Sequence, residues 1–145
     1  MIPKLRFTRW FPWAKRREIP RCRSPGVYVL AVTRRNLEQM PVSLADVSYV
    51  GMSRNRGGLE ARWAQCHNSL HGRAGHSGGS TIYKHLGRYD RWKTKLFVAA
   101  MPIDCDPRAA SAKDLIRMGW ITFLEYEARA LFHRLRKARP RYNKL

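Results

Sequence analysis

Acidic residues are scarce in this chain. Ten Asp and Glu stand against 29 Lys and Arg, a formal net charge of +19 over 145 residues. A surface this positive repels itself until a polyanion balances it, and nucleic acid is the commonest such partner. Cysteine is also thin. Cys22, Cys66 and Cys105 are widely spaced and odd in number, and no C-x-x-C occurs. That argues against a disulfide framework and against a zinc knuckle, and it fits a reducing compartment. No stretch approaches the roughly 18 apolar residues of a membrane span. The opening "RFTRWFPW" is short, aromatic and broken by Pro12, without the apolar centre of a signal peptide. There is no internal repeat. What is present is a hydrophobic fraction of 44%, too high for a disordered polycation and sufficient for one compact domain with a modest core. These features predict a soluble, cytoplasmic, nucleoid-associated protein with no membrane partner.

The positive charge sits at the ends. Residues 1–25 hold eight Lys/Arg against Glu18, and residues 126–145 hold seven against Glu127, so the two ends carry 13 of the 19 net charges. Residues 1–25 read as a basic aromatic arm, punctuated by Pro3, Pro12, Pro20 and Pro25, with Trp10, Phe11 and Trp13 placed either to stack on bases or to cover the body. Packing against the body is the commoner fate of such aromatics. Residues 26–145 read as the domain proper. "GVYVLAVT" (26–33) and "VSYVG" (47–51) are β-branched and aromatic, two strands of an antiparallel hairpin across a polar loop. Apolar spacing from Leu59 to Leu70 predicts a helix. After a Gly/Ser loop over 72–80, Ser80 or Thr81 is placed to cap a short second helix. "KTKLFVAAMPI" (93–103) predicts a third strand buried on both faces. Asp106-Pro107 reads as the start of a third helix, Gly119 as a break before a fourth, and Pro140 as the stop. The expected fold is α+β, a small three-stranded antiparallel sheet flanked by helices in the order β-β-α-α-β-α-α.

At this level of detail the residues resemble the GIY-YIG nuclease domain. "GVY" (26–28) and "YVG" (49–51) match the two triplets that name the family, with Val for Ile. "GMSRN" (51–55) resembles the turn that follows the second triplet. "RW" (62–63) with His67, then "EARALF" (127–132) and "RPRYN" (139–143), resemble the helix, the closing helix and the Pro-x-x-Asn element of its repair-nuclease branch. The resemblance spans about residues 26–143. The 20 residues between Tyr28 and Tyr49 exceed the shortest members' spacing, and the excess falls in the polar loop 34–46, where added length is tolerated.

The resemblance implies a metal-dependent endonuclease that hydrolyses DNA. Its catalytic residues would be Tyr28, Tyr49, Arg62, His67 and Glu127. The first tyrosine would activate water, Arg62 would grip phosphate, and Glu127 would hold one magnesium or manganese ion per site. Glu125 is a rival for that glutamate, and His71, His76 and His85 are alternatives to His67. Arg54, Arg56, His76, Lys84, Arg134, Lys137, Arg141 and Asn143 would contact double-stranded or branched DNA, with Asn143 also placed to pin the chain end. The chain would act as a monomer or homodimer, with any sequence specificity drawn from DNA structure or a protein partner. The alternatives are a non-catalytic nucleic-acid binder on the same scaffold and a basic protein of RNA assemblies.

Overall fold

A computed structural model of the chain describes residues 1–144. Four strands, β1 (Phe11–Pro12), β2 (Gly26–Val32), β3 (Tyr49–Ser53) and β4 (Leu96–Pro102), form one antiparallel sheet in the order β1-β4-β2-β3. The helices are α1 (Gly58–Leu70), α2 (Ser77–Leu86) and α3 (Ala112–Arg136). The fold is α+β, as expected, with one more strand. Among the described residues, no helix is long and apolar enough to cross a membrane.

β2 and β4 are apolar throughout because both faces of the sheet are covered. Alternation sends Tyr28, Leu30, Leu96, Val98 and Ala100 into a core with Leu59, Trp63, Cys66 and Leu70 of α1 and Ile82 of α2. It sends Val27, Val29, Ala31, Phe97 and Ala99 into a second core with Ile121, Leu124, Ala128 and Phe132 of α3. The result is three layers, a helix pair over the sheet over one long helix. β3 is left as an edge strand with α3 crossing beneath it.

The fourth strand comes from residues 1–25. Phe11 and Pro12 pair with Val98 and Phe97, and a proline is tolerated because this is the outer edge. Trp10 and Trp13 flank the pair and enter opposite cores, each with no exposed surface. The basic, proline-rich segment is therefore structural on both sides of the sheet.

Three local expectations are corrected. α2 begins at Ser77, and its cap is His76, whose side chain accepts from the Gly79 N–H, rather than Ser80 or Thr81. Asp106-Pro107 forms a turn, and the helix starts at Ala112 behind Ser111, whose hydroxyl accepts from the Asp114 N–H at 3.1 Å. Gly119 does not break that helix. It lies on the outer surface, and the apolar stripe from Ile121 to Phe132 on the opposite side anchors the helix to the sheet. That burial outweighs the roughly 1 kcal/mol that a mid-helix glycine costs. The helix closes at Lys137, which is in the left-handed conformation, before Pro140 is reached.

Candidate active site

Pairing of β2 with β3 sets Tyr28 opposite Gly51 and Leu30 opposite Tyr49. Tyr28 and Tyr49 are thus diagonal neighbours on one face, with ring centroids 6.1 Å apart. Both rings lie across Gly51. A β-carbon there would stand 2.6 Å from the Tyr28 Cζ and Oη and 2.7 Å from the Tyr49 ring. Gly78 of α2 is constrained in the same way, since its β-carbon would meet the Tyr49 ring at 2.5 Å. These two glycines let the phenols converge. Gly51→Ala should therefore destabilise the fold by about 1–3 kcal/mol through overpacking, measured as a lowered urea midpoint. An unchanged midpoint would mean the rings are free to move aside.

His76 fixes the inner phenol. Its backbone N–H donates to Ser69 Oγ at 2.9 Å, its Nδ1 accepts from the Gly79 N–H at 2.9 Å, and its Nε2 lies 2.6 Å from Tyr28 Oη. A backbone N–H can only donate, so Nδ1 carries no proton and the neutral ring bears it on Nε2. His76 Nε2–H therefore donates to the Tyr28 oxygen. Burial, reinforced by the Arg62 charge, holds His76 down to a pKa of about 3.

Tyr28 has no exposed surface, and Tyr49 is 7% exposed. Burial raises Tyr28 well above the ordinary phenol range and raises Tyr49 too, with Arg62 opposing both. The donors run from the Gly79 N–H to His76 Nδ1 and from His76 Nε2–H to the Tyr28 oxygen. Tyr49 is the more exposed of the two phenols.

Arg62 on α1 donates to Gln65 Oε1 at 2.6 Å and to the Gly75 carbonyl at 3.3 Å. Its charge acts on Tyr28, Tyr49, His76 and Glu125 together. Glu125, on α3, lies within electrostatic range of the same group: its charge acts on Tyr49, and Arg62 acts on it. Burial raises its carboxyl, opposed by Arg129, Arg54 and Arg62, and its Oε1 lies 3.9 Å from the Arg129 guanidinium.

Glu127 does not join this group. Two residues on a helix differ by about 200° in direction, so Glu125 and Glu127 occupy opposite flanks of α3. Glu127 lines a groove with Leu5, Phe7, Thr8 and Leu44. With Leu124 and Ala128 facing the sheet, only position 125 can turn toward the tyrosines, and the apolar spacing of Ile121, Leu124, Ala128 and Phe132 carries that signal.

No protein-family model, curated protein or solved structure matches this chain.

The remaining expected residues fall into three places. His67 sits apart from the tyrosines, accepting from Trp13 Nε1 at 3.1 Å and packing with His71 and Tyr89. Five residues beyond Arg62, it is rotated off that arginine's face. The imidazole at the phenols is His76 instead, so its place is inside the site and not on an outer nucleic-acid surface. The Ser-Gly-Gly that follows it is its sequence context: the Gly79 N–H is the group His76 caps, and Gly78 clears room for Tyr49. Asn143 clamps the exposed edge of β3: its Oδ1 accepts from the Val50 N–H and its Nδ2 donates to the Val50 carbonyl, each at 2.8 Å. Its amide is engaged with backbone rather than offered to phosphate. Arg54, Arg56, Lys84, Arg134 and Lys137 are exposed. Arg141 is also exposed, with its guanidinium on His85 Nε2 at 2.5 Å.

Buried His76 and half-buried His67 make stability depend on pH. His76 and His67 are held down to about 3 and about 4 by burial first and neighbouring positive charge second, against about 6.5 in an unfolded chain. Between those values the unfolded chain binds protons that the folded chain does not. Their stabilising neutrality is intact above about pH 6.5 and drains as pH falls toward 4 and 3. The urea midpoint should drop over that window, and His67→Gln should flatten part of the drop. A flat profile would overturn the neutral assignments.

Proposed function

We propose that this chain is a metal-dependent endonuclease hydrolysing DNA phosphodiester bonds, of the GIY-YIG type its sequence resembles. The observation that carries this reading is the clustering of Tyr49, Tyr28 and Arg62 from three separate elements, with the Glu125 carboxylate of a fourth within electrostatic range. Phosphodiester hydrolysis needs a polarised water, positive charge for the developing anion, and help for the leaving oxygen.

Tyr49, the more exposed phenol, is the group that meets the water. The Tyr28 ring packs beside it, and Arg62 favours its anionic form. Tyr28 and His76 act behind it as positioning residues. The Arg62 fork suits two phosphate oxygens, and Arg54 adds charge at the same carboxylate.

No group of three His, Cys, Asp or Glu able to hold an ion occurs among the described residues. One carboxylate is too few for a protein-enclosed zinc site. It suits magnesium or manganese, which retain waters and take one or two carboxylates together with substrate phosphates. Glu125 would hold one such ion, and the ion would supply Lewis-acid neutralisation of phosphate charge. Exposed arginines and lysines at both chain ends would track the backbone of the duplex, with affinity falling steeply in salt.

The complete burial of Tyr28 favours a second reading, a nucleic-acid binder without chemistry. A supercoiled-plasmid assay in magnesium and in EDTA separates the two. The nuclease reading expects nicking in magnesium alone. It also expects Arg62→Ala to lose roughly tenfold more in cleavage than in binding, since a donor to the developing charge acts mainly in the transition state. No magnesium-dependent nicking by the wild-type chain across a range of salt leaves the binder.

A further inference from the structure

Beside the proposed site, the C-terminal half of α3 and the chain that follows it border an open cleft of about 780 Å³. Its charged lining is basic. Arg129, His133, Arg139 and Arg141 line it together with Tyr126 and Asn143, and among the described residues no carboxylate does. Tyr126 is 61% exposed, a large aromatic standing open in a strongly basic surface. The Arg129 guanidinium lies over its ring, 5.5 Å from the centroid. Arg129 also lies 3.9 Å from Glu125 and donates to the Lys144 carbonyl at 3.3 Å. The same guanidinium thus borders the carboxylate of the site and the ring of the cleft.

This combination has a recognisable ligand chemistry. An aromatic ring with a cation on it offers a flat surface for another π-system, and a ring of guanidiniums offers bidentate partners for phosphate. Bases within a duplex are already stacked on their neighbours and cannot lie on a protein ring. Bases of single strands, gaps, flaps and junctions can. The geometry points to an unpaired nucleotide next to the scissile phosphate as the occupant of this cleft, its base on Tyr126 and its phosphates on Arg139 and Arg141. The inference rests on the nuclease reading for the position of the scissile bond, and it makes the preferred substrate a nucleic acid with an unpaired stretch rather than continuous duplex.

The test needs no cleavage. Binding of the full chain to a fluorescein-labelled oligothymidylate, and to a duplex of equal length, is followed by anisotropy in EDTA. Tyr126→Ala should weaken oligothymidylate binding about tenfold, the loss of one stacked base, with duplex binding changed by less than about twofold. Tyr126→Phe should restore the wild-type values. Arg139→Gln should weaken both ligands and flatten the salt dependence. Equal effects of Tyr126→Ala on the two ligands, or no effect on either, would overturn the proposal. A chain that never cuts yet shows the split sustains the cleft and defeats only the nuclease reading. A chain that cuts without the split defeats only the cleft.

Discussion

Glu125→Gln should abolish magnesium-dependent nicking, with a rate loss of about 10²–10³, the range seen when a single transition-state-stabilising group is removed. Glu127→Gln should stay within about twofold of wild type, as for most substitutions away from a site. The contrast follows from α3. Both glutamates are part-buried, but Glu125 acts on Tyr49 and is acted on by Arg54 and Arg62, whereas Glu127 lines a groove with Leu5, Phe7 and Leu44. Glutamine preserves the shape of the side chain and removes its charge, so folding should be little altered. Time courses of plasmid nicking for the two variants at equal concentration check this. Equal activity of Glu125→Gln and wild type would remove the metal assignment and leave the arginines as the only cations at the phosphate.

Trp10→Ala should cost about 3–5 kcal/mol, the range for truncating a buried tryptophan or phenylalanine, read from urea unfolding. Trp10 lies against the α3 side of the sheet with no exposed surface. Backbone bonds bracket it, from the Trp10 N–H to the Met40 carbonyl at 3.0 Å and from the Gln39 N–H to the Trp10 carbonyl at 2.8 Å. Its indole N–H has no partner among the described residues, so what the truncation removes is packing rather than a hydrogen bond. A loss below about 1 kcal/mol would show that residues 1–25 cover the sheet loosely. Since many domains have only about 5–15 kcal/mol of stability, this one substitution can decide whether the chain folds at physiological temperature.

What could be read in the sequence follows from how local each signal is. "GVYVLAV" and "YVG" announce their strands because β-branched and aromatic side chains suit a sheet surface, and the apolar centre of β4 correctly signalled burial on both faces. β1 could not be read this way. A two-residue strand containing a proline has no periodicity, and only the docking of Trp10 and Trp13 into two cores defines it. The helix break expected at Gly119 failed because propensity is local while the stripe from Ile121 to Phe132 answers to the whole sheet. Within the site, the two tyrosines and Arg62 were legible from their order along the chain. The choice between Glu125 and Glu127 depended on which flank of α3 turns toward β3. The histidine depended on a loop that brings residue 76 back over residue 28. Neither could be counted from the spacing of the motif alone.

The clamp of Asn143 on Val50 joins residues 93 positions apart in the chain. During synthesis β3 is complete long before its outer border has a partner, and an unguarded strand border invites pairing with other chains. A product that stops short of residue 143, whether from early termination or from trimming by a protease, therefore keeps Tyr28 and Tyr49 but loses the cover beside them. Such fragments should be prone to pair with other chains, so the segment that follows α3 guards the molecule against self-association.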